Sequence, residues 1–136
     1  MHPNEQLIRE GFDAFARADL DAIRATWTDD VEWVTTGHSK LSGTYRGADD
    51  IFGMFGRMLQ ISNGTFTTEI AECCANDRVV MVQATDRATL AGQEIETSSL
   101  LVFQMRDGKV CRCTLVEMDQ ALVDSLVDRA VELAGV

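Results

Sequence analysis

The order of periodicities predicts an α+β fold, helices first and antiparallel strands after. Two stretches with helical apolar spacing open the chain. From Phe66 to about Met118 apolar residues alternate with polar ones at a period of two, and the turns between these runs are short. A chain of 136 residues suits one domain, 1–136, with a single core. No internal repeat or low-complexity segment interrupts it.

Asn4 can cap a first helix with Leu7, Ile8, Phe12 and Phe15 on one side and Arg9, Glu10, Asp13 and Arg17 on the other. Asp19 can cap a second, shorter helix carrying Leu20, Ile23 and Trp27. Asp29 and Asp30 close it and open a strand over 31–35, with Val31, Trp33 and Thr35 on one face. Residues 37–43 (GHSKLSG) read as a loop. After Gly47, Asp49 and Asp50 suit the positive end of a third helix striped by Ile51, Phe52, Phe55, Met58 and Leu59. Gly53 and Gly56 inside it each cost roughly 1 kcal/mol against alanine, so both are expected where another backbone comes close.

Asn63-Gly64 marks a turn, and strands follow over 66–74, 79–90, 95–105 and 110–118. Ala75-Asn76-Asp77, Ala91-Gly92-Gln93 and Asp107-Gly108 separate them, the last a strong hairpin signal. Asp119 caps a closing helix from about Gln120, with Leu122, Val123, Leu126, Val127 and Ala130 on its apolar side.

A composition of 46% apolar and 25% charged residues is that of an ordinary globular chain. The net charge of −10 argues against a nucleic-acid partner, which would favour clustered Lys and Arg. No apolar run is long enough for a bilayer and no charged-then-apolar leader follows Met1, so no membrane is expected and the cytoplasm is the default location. Cys73 and Cys74 are adjacent, and Cys111 and Cys113 share a strand face; with only His2 and His38 to assist, neither spacing resembles a zinc site. Core thiols, no metal and no cofactor are expected.

The candidate chemistry lies in Val79–Leu90, VVMVQATDRATL. Alternation puts Val80, Val82, Ala84, Asp86, Ala88 and Leu90 on one face, and Asp86 is its only charge. Desolvating an ionised acid there costs several kcal/mol, of order, unless it is paired, wet or neutralised. Either a cavity needs an acid, or a buried Asp is bonded to a neighbouring hydroxyl for structure alone. A crude register across the hairpins sets Asp86 opposite Ser99, Leu101 near Cys113 and Thr97 near Glu117. The inward side then holds Asp86, Ser99, Thr97, Leu101, Phe103, Cys113, Leu115 and Glu117, an apolar lining with a few polar groups. Asp86 and Glu117 would stand roughly 10–12 Å apart, too far to share a proton and suited to opposite ends of a small polycyclic or polyene substrate. Glu117 lies near a strand end, where a solvated rim competes with a catalytic place. Trp33 is either core or an aromatic that stacks a flat ligand, His38 either an exposed loop residue or a proton carrier near neutrality, and Tyr45 either packing beside the third helix or a hydroxyl at the pocket mouth. Arg87 and Arg112 point outward.

The phrases FARADLDAIRATWTDDVEW (15–33), LSGTYRGADDI (41–51), MRDGKV (105–110) and MDQ (118–120) carry a resemblance that spans 7 to about 126. The chain resembles the SnoaL-like polyketide cyclase group of the ketosteroid-isomerase-like, nuclear-transport-factor-like superfamily. That resemblance implies a strongly curved sheet wrapped on three helices, a cone with a deep apolar pocket, and a homodimer through the outer sheet face. The oxyanion tyrosine of ketosteroid isomerases falls near Gly11 or Phe12 here, their general base at Val34 or Thr35, and their protonated aspartate near Leu101. None carries over, so steroid isomerisation by that route is not expected. The same register puts Asp86 and Cys113 on the pocket side.

The function this implies is a cofactor-independent cyclase or isomerase acting by proton transfer on a small apolar polyketide- or terpenoid-like intermediate. Asp86 would be the principal acid or base; Glu117, His38 or Tyr45 would supply the second proton or hydrogen bond. Trp33, Ser99, Leu101, Phe103, Cys113 and Leu115 would hold the substrate. Two alternatives stand beside it. One is epoxide opening by an Asp–Arg–Asp set, which needs an inward arginine; the other is a non-catalytic binding pocket.

Overall fold

The computed structural model describes residues 1–136. Helices α1 (Pro3–Ala16) and α2 (Leu20–Arg24) come first, followed by strands β1 (Trp27–Thr35) and β2 (Gly43–Arg46) and helix α3 (Ala48–Ile61). Strands β3 (Thr67–Ala75), β4 (Val79–Leu90), β5 (Gln93–Arg106) and β6 (Lys109–Glu117) then lead into helix α4 (Gln120–Ala134). One six-stranded sheet results, in the order β2-β1-β6-β5-β4-β3. Only the β1–β6 pairing is parallel.

The long meander follows from its turns. Ala91-Gly92 and Asp107-Gly108 all have positive φ, the backbone of a two-residue hairpin whose twist matches that of its strands. Register shifts between Ile70 and Glu72, between Gln104 and Met105, and between Trp27 and Glu32 bend the sheet around the helices.

Two apolar clusters fill the concave side. The larger takes Val80, Val82 and Ala84 of β4 with Trp27, Trp33 and Phe103, under α1 and α3. The smaller takes Ala88 and Leu90 with Leu41, Ile61, Leu126, Val127 and Val131, under α4. Each fully buried aliphatic side chain contributes about 1.5–3 kcal/mol by leaving water, so alternation along β4 is enough to hold its face inward.

Several local expectations are corrected. The N-cap of α1 is His2, whose Nδ1 accepts from the Asn4 backbone; Asn4 sits buried in the first turn and donates its amide to the carbonyls of Asn76 and Asp77. Trp27 opens β1 instead of riding on α2, because it pairs with Val110 and stacks on Phe52. Asp29 and Asp30 therefore lie inside a strand. β2 was too short to show any alternation. On α3, Met54 is buried and Leu59 is exposed. A Cβ at Gly53 or Gly56 would meet nothing within 4 Å, so no backbone approaches there. Of the four free cysteines only Cys113 is a core thiol; Cys74, one residue from Cys73, alternates out to solvent. No helix is long and apolar enough to cross a membrane.

Candidate active site

Along β4 all six alternating residues, Val80 to Leu90, are buried, and Asp86 is 8% exposed among them. Its cross-strand partner is Thr97; Ser99 lies opposite Ala84 on one side and Glu117 on the other. Leu101 meets Leu115, and Phe103 meets Cys113. Each expected pair was displaced by two residues, because the first hairpin closes tightly at Leu90–Gln93 and a bulge follows the second. A shift of two leaves every side chain on its face. The inward set is therefore as expected while its contacts are not.

That set faces a cavity of about 150 Å³ between the sheet and α1, α3 and α4, and 18 of its 29 lining residues are apolar. Asp86, Glu117, Trp33, Ser99, Leu101, Phe103 and Leu115 all line it. Four expected members do not; Thr97, paired with Asp86, is half-buried and borders only a smaller neighbouring pocket. Cys113 is wholly buried in the core behind the lining, and burial pushes its thiol well up. The Tyr45 hydroxyl donates to the Leu41 carbonyl at 2.7 Å, so it is consumed in packing β2. His38 is exposed outside the cavity, because its loop is fixed through backbone amides: the His38 N–H donates to Asp124 and the Lys40 N–H to Asp128.

Sequence reasoning missed Thr68, Thr35 and the clasp on α4. The Thr68 hydroxyl donates to Asp86 Oδ1 at 2.6 Å. Gln120 accepts from the Thr36 hydroxyl and the Glu117 N–H while donating to Asp124. Gln120 and Asp124, four apart beside Val123 and Val127, were a readable sign that the inner edge of α4 carries polar work.

The two carboxyls differ. Burial raises the pKa of Asp86, while the hydrogen bond from Thr68 works against it by favouring the anion. Glu117 is raised to about 7 by burial first and then by the charges of Asp86 and Asp124. Its Oε2 is buried with no partner in the protein, which corrects the solvated-rim reading. Near neutrality Glu117 therefore still holds its proton about half the time.

Four buried side-chain polar atoms lack a protein partner: Trp33 Nε1, Thr35 Oγ1, Ser99 Oγ and Glu117 Oε2. All four belong to residues of this one cavity. Orphaned polar groups are uncommon in folded proteins, and these four all come from strands of the sheet, on one wall of the cavity. No group of three or more His, Cys, Asp or Glu is placed to hold a metal ion.

The profile of the SnoaL-like domain matches residues 8–113. The chain is 28% identical over 120 residues to the uncharacterized protein Rv0034 of Mycobacterium tuberculosis, covering 88% of this chain and 92% of that one. Among solved structures it is similar to Bal32a from a soil-derived mobile gene cassette, with a TM-score of 0.87 and 24% identity over 92% of this chain and 96% of that one. TerC, co-crystallized with polyporic acid, gives a TM-score of 0.82 at 24% identity over 93% and 99% of the two chains. A putative SnoaL-like polyketide cyclase from Jannaschia sp. CCS1 gives 0.75 at 14% identity over 93% and 92%. At these identities the structures speak for the fold.

Proposed function

The chain belongs to the SnoaL-like domain family, and from that premise we propose that it is a cofactor-independent cyclase or isomerase of a small apolar polyketide- or terpenoid-like molecule. The observation that carries this is the pair of unequal carboxyls facing one apolar cavity. Asp86, its Oδ1 held by Thr68, takes a proton from the carbon beside a carbonyl. The resulting enolate is met by the Ser99 hydroxyl and the protonated Glu117, donors that no protein group occupies. Glu117 then returns a proton, either to another carbon, which isomerises the substrate, or to the alkoxide left when the enolate closes on a second carbonyl. No atom is gained or lost on either path. The apolar wall keeps water from quenching the intermediate. Neighbours named for cyclisation or co-crystallized with polyporic acid support a guest of this kind.

Proton abstraction can be read without the true substrate. A neutral cyclic ketone incubated with the protein in deuterated water should exchange its α-hydrogens, followed by NMR. Asp86→Asn should lower that rate by about 10²–10⁴. Equal exchange in the wild type, the variant and protein-free buffer ends the enzymatic reading and leaves a binding protein. The Asp–Arg–Asp set for epoxide opening finds no arginine on the cavity wall, and Arg87 is exposed between Glu69 and Glu96.

The same proposal has the chain working in the cytoplasm as a homodimer. Met81, Leu100, Val102 and Val116, neighbours in register on the convex face and none of them buried, support pairing through that face. Light scattering on the purified chain measures its mass.

A further inference from the structure

The size and charge of the guest can be narrowed beyond the reaction class. Asp86, Glu117 and Asp124 line the cavity, and no Lys, Arg or His does. An anion drawn inside would lose its hydration and meet carboxylates in place of a counter-charge, a cost of several kcal/mol, of order. Volume sets a second limit. A cavity of about 150 Å³ walled by apolar side chains takes a guest the size of benzene, which is too little room for the small polycyclic or polyene substrate expected from strand spacing.

The polar atoms set the third limit, because they are unlike one another. Trp33 Nε1 can only donate, and the Trp33 side chain is 8% exposed with its ring held edge-on against Phe55 and Phe103. Thr35 Oγ1 is the next inward polar atom on the same strand. Asp86, three strands away across β6 and β5, is an acceptor once ionised. The floor therefore offers donors at the β1 end and a base at the β4 end. A buried donor without a partner costs about 1–3 kcal/mol, and an acceptor oxygen on the guest would recover it.

We infer that the cavity selects a compact, uncharged molecule of about one ring whose oxygen acceptor lies against Trp33 and Thr35, and that these two residues set its orientation. This rests on the same cavity being the site, and it extends the proposed chemistry by fixing which end of the substrate faces which acid. Carboxylates, phosphates and thioester carriers bearing them are refused inside.

Three probes near benzene in size test it by calorimetry at pH 8: cyclohexanone, cyclohexane and cyclohexanecarboxylate. The ketone should bind about tenfold tighter than the hydrocarbon and about a hundredfold tighter than the carboxylate. Trp33→Phe and the near-isosteric Thr35→Val should each weaken the ketone about five- to tenfold while leaving the hydrocarbon unchanged. Thr35→Val keeps the test intact should Trp33→Phe not fold. The inference is overturned if the carboxylate matches the ketone, if neither variant affects the ketone, or if none of the probes binds. Binding in the expected order without α-hydrogen exchange would sink the enzymatic reading alone. Exchange with the carboxylate bound best would sink only this inference.

Discussion

Strand β4 crosses two cores, and they are built differently. Its first half, Val80 to Ala84, lies in a cluster knit by aromatic edges, with Trp27, Trp33 and Phe103 packed under two helices. Its last residues, Ala88 and Leu90, belong to a smaller aliphatic cluster roofed by α4, with only Ile61 of α3 among its buried members. Asp86 stands between them, belonging to neither. A charge is tolerated at that seam because the cavity and Thr68 meet it there. The same charge two turns of the pleat earlier would meet only hydrocarbon.

The largest expected effect breaks this contrast directly. Val82→Asp places a carboxyl where nothing can accept or pair it, and should cost more than about 4 kcal/mol, enough to unfold much of the population. Asp86→Val, on the same strand face, should be neutral or stabilising by about 1–2 kcal/mol while abolishing exchange. Urea unfolding monitored by circular dichroism compares the two. Equal losses in both would mean that Asp86 is as structural as its neighbours.

Next in size is the pH dependence of Glu117, which sharpens the contrast from the α4 side. Its folded pKa of about 7 stands above an ordinary 4.5. Below 4.5 both folded and unfolded states hold the proton and nothing is lost. Between 4.5 and about 7 the unfolded state ionises first, so stability falls as pH rises; beyond 7 the loss is complete, about 3 kcal/mol at roughly 1.4 kcal/mol per pH unit. Glu117→Gln cannot ionise. It should match the wild type near pH 4 and be the more stable protein at pH 8, and melting curves across that range check the sign. Exchange by the wild type should decline through pH 7 as the acid is lost, and the variant should show no such step.

A smaller effect tests how α4 is fastened. Gly37 has φ +93, and a Cβ there would lie 2.6 Å from Asp124 Oδ1 and collide with the Gln120 amide. Gly37→Ala should lower stability by about 1–3 kcal/mol through this collision and the left-handed backbone. Amide exchange should quicken at His38 and Lys40, whose N–H groups Asp124 and Asp128 now hold. Protection unchanged at both would mean that the clasp does not depend on the glycine.

Why these features were unequally legible is a matter of which physics each one obeys. The inward face of β4 was readable to the residue, since alternation alone decides it. The partners across it were not, because hydrophobic pattern fixes a face but leaves the register free to slide by two, and the tight Leu90–Gln93 closure took up that freedom. Thr68 was hidden by the bulge after Ile70, which disturbs the alternation of β3. His38 and Tyr45 were drawn toward the site by their side-chain chemistry, yet backbone hydrogen bonds and one carbonyl settle where they go. Glu117 looked like a rim residue because burial by α4, a helix arriving later in the chain, cannot be seen from its own strand.

The smallest prediction concerns α3, which runs beneath both cores: Ile51 and Met54 enter the aromatic cluster and Ile61 the aliphatic one. Gly53 and Gly56 lie on its opposite, exposed face with open space around them. Neither has a positive φ, so an alanine fits the helix without strain and restricts the unfolded chain more than glycine does. Gly53→Ala and Gly56→Ala should each stabilise the protein by about 0.5–1 kcal/mol, additively, and leave exchange untouched. If a loss of stability appears only at high protein concentration, a second molecule is seated on the glycine face of α3, and the two cores share a roof that is not wholly their own.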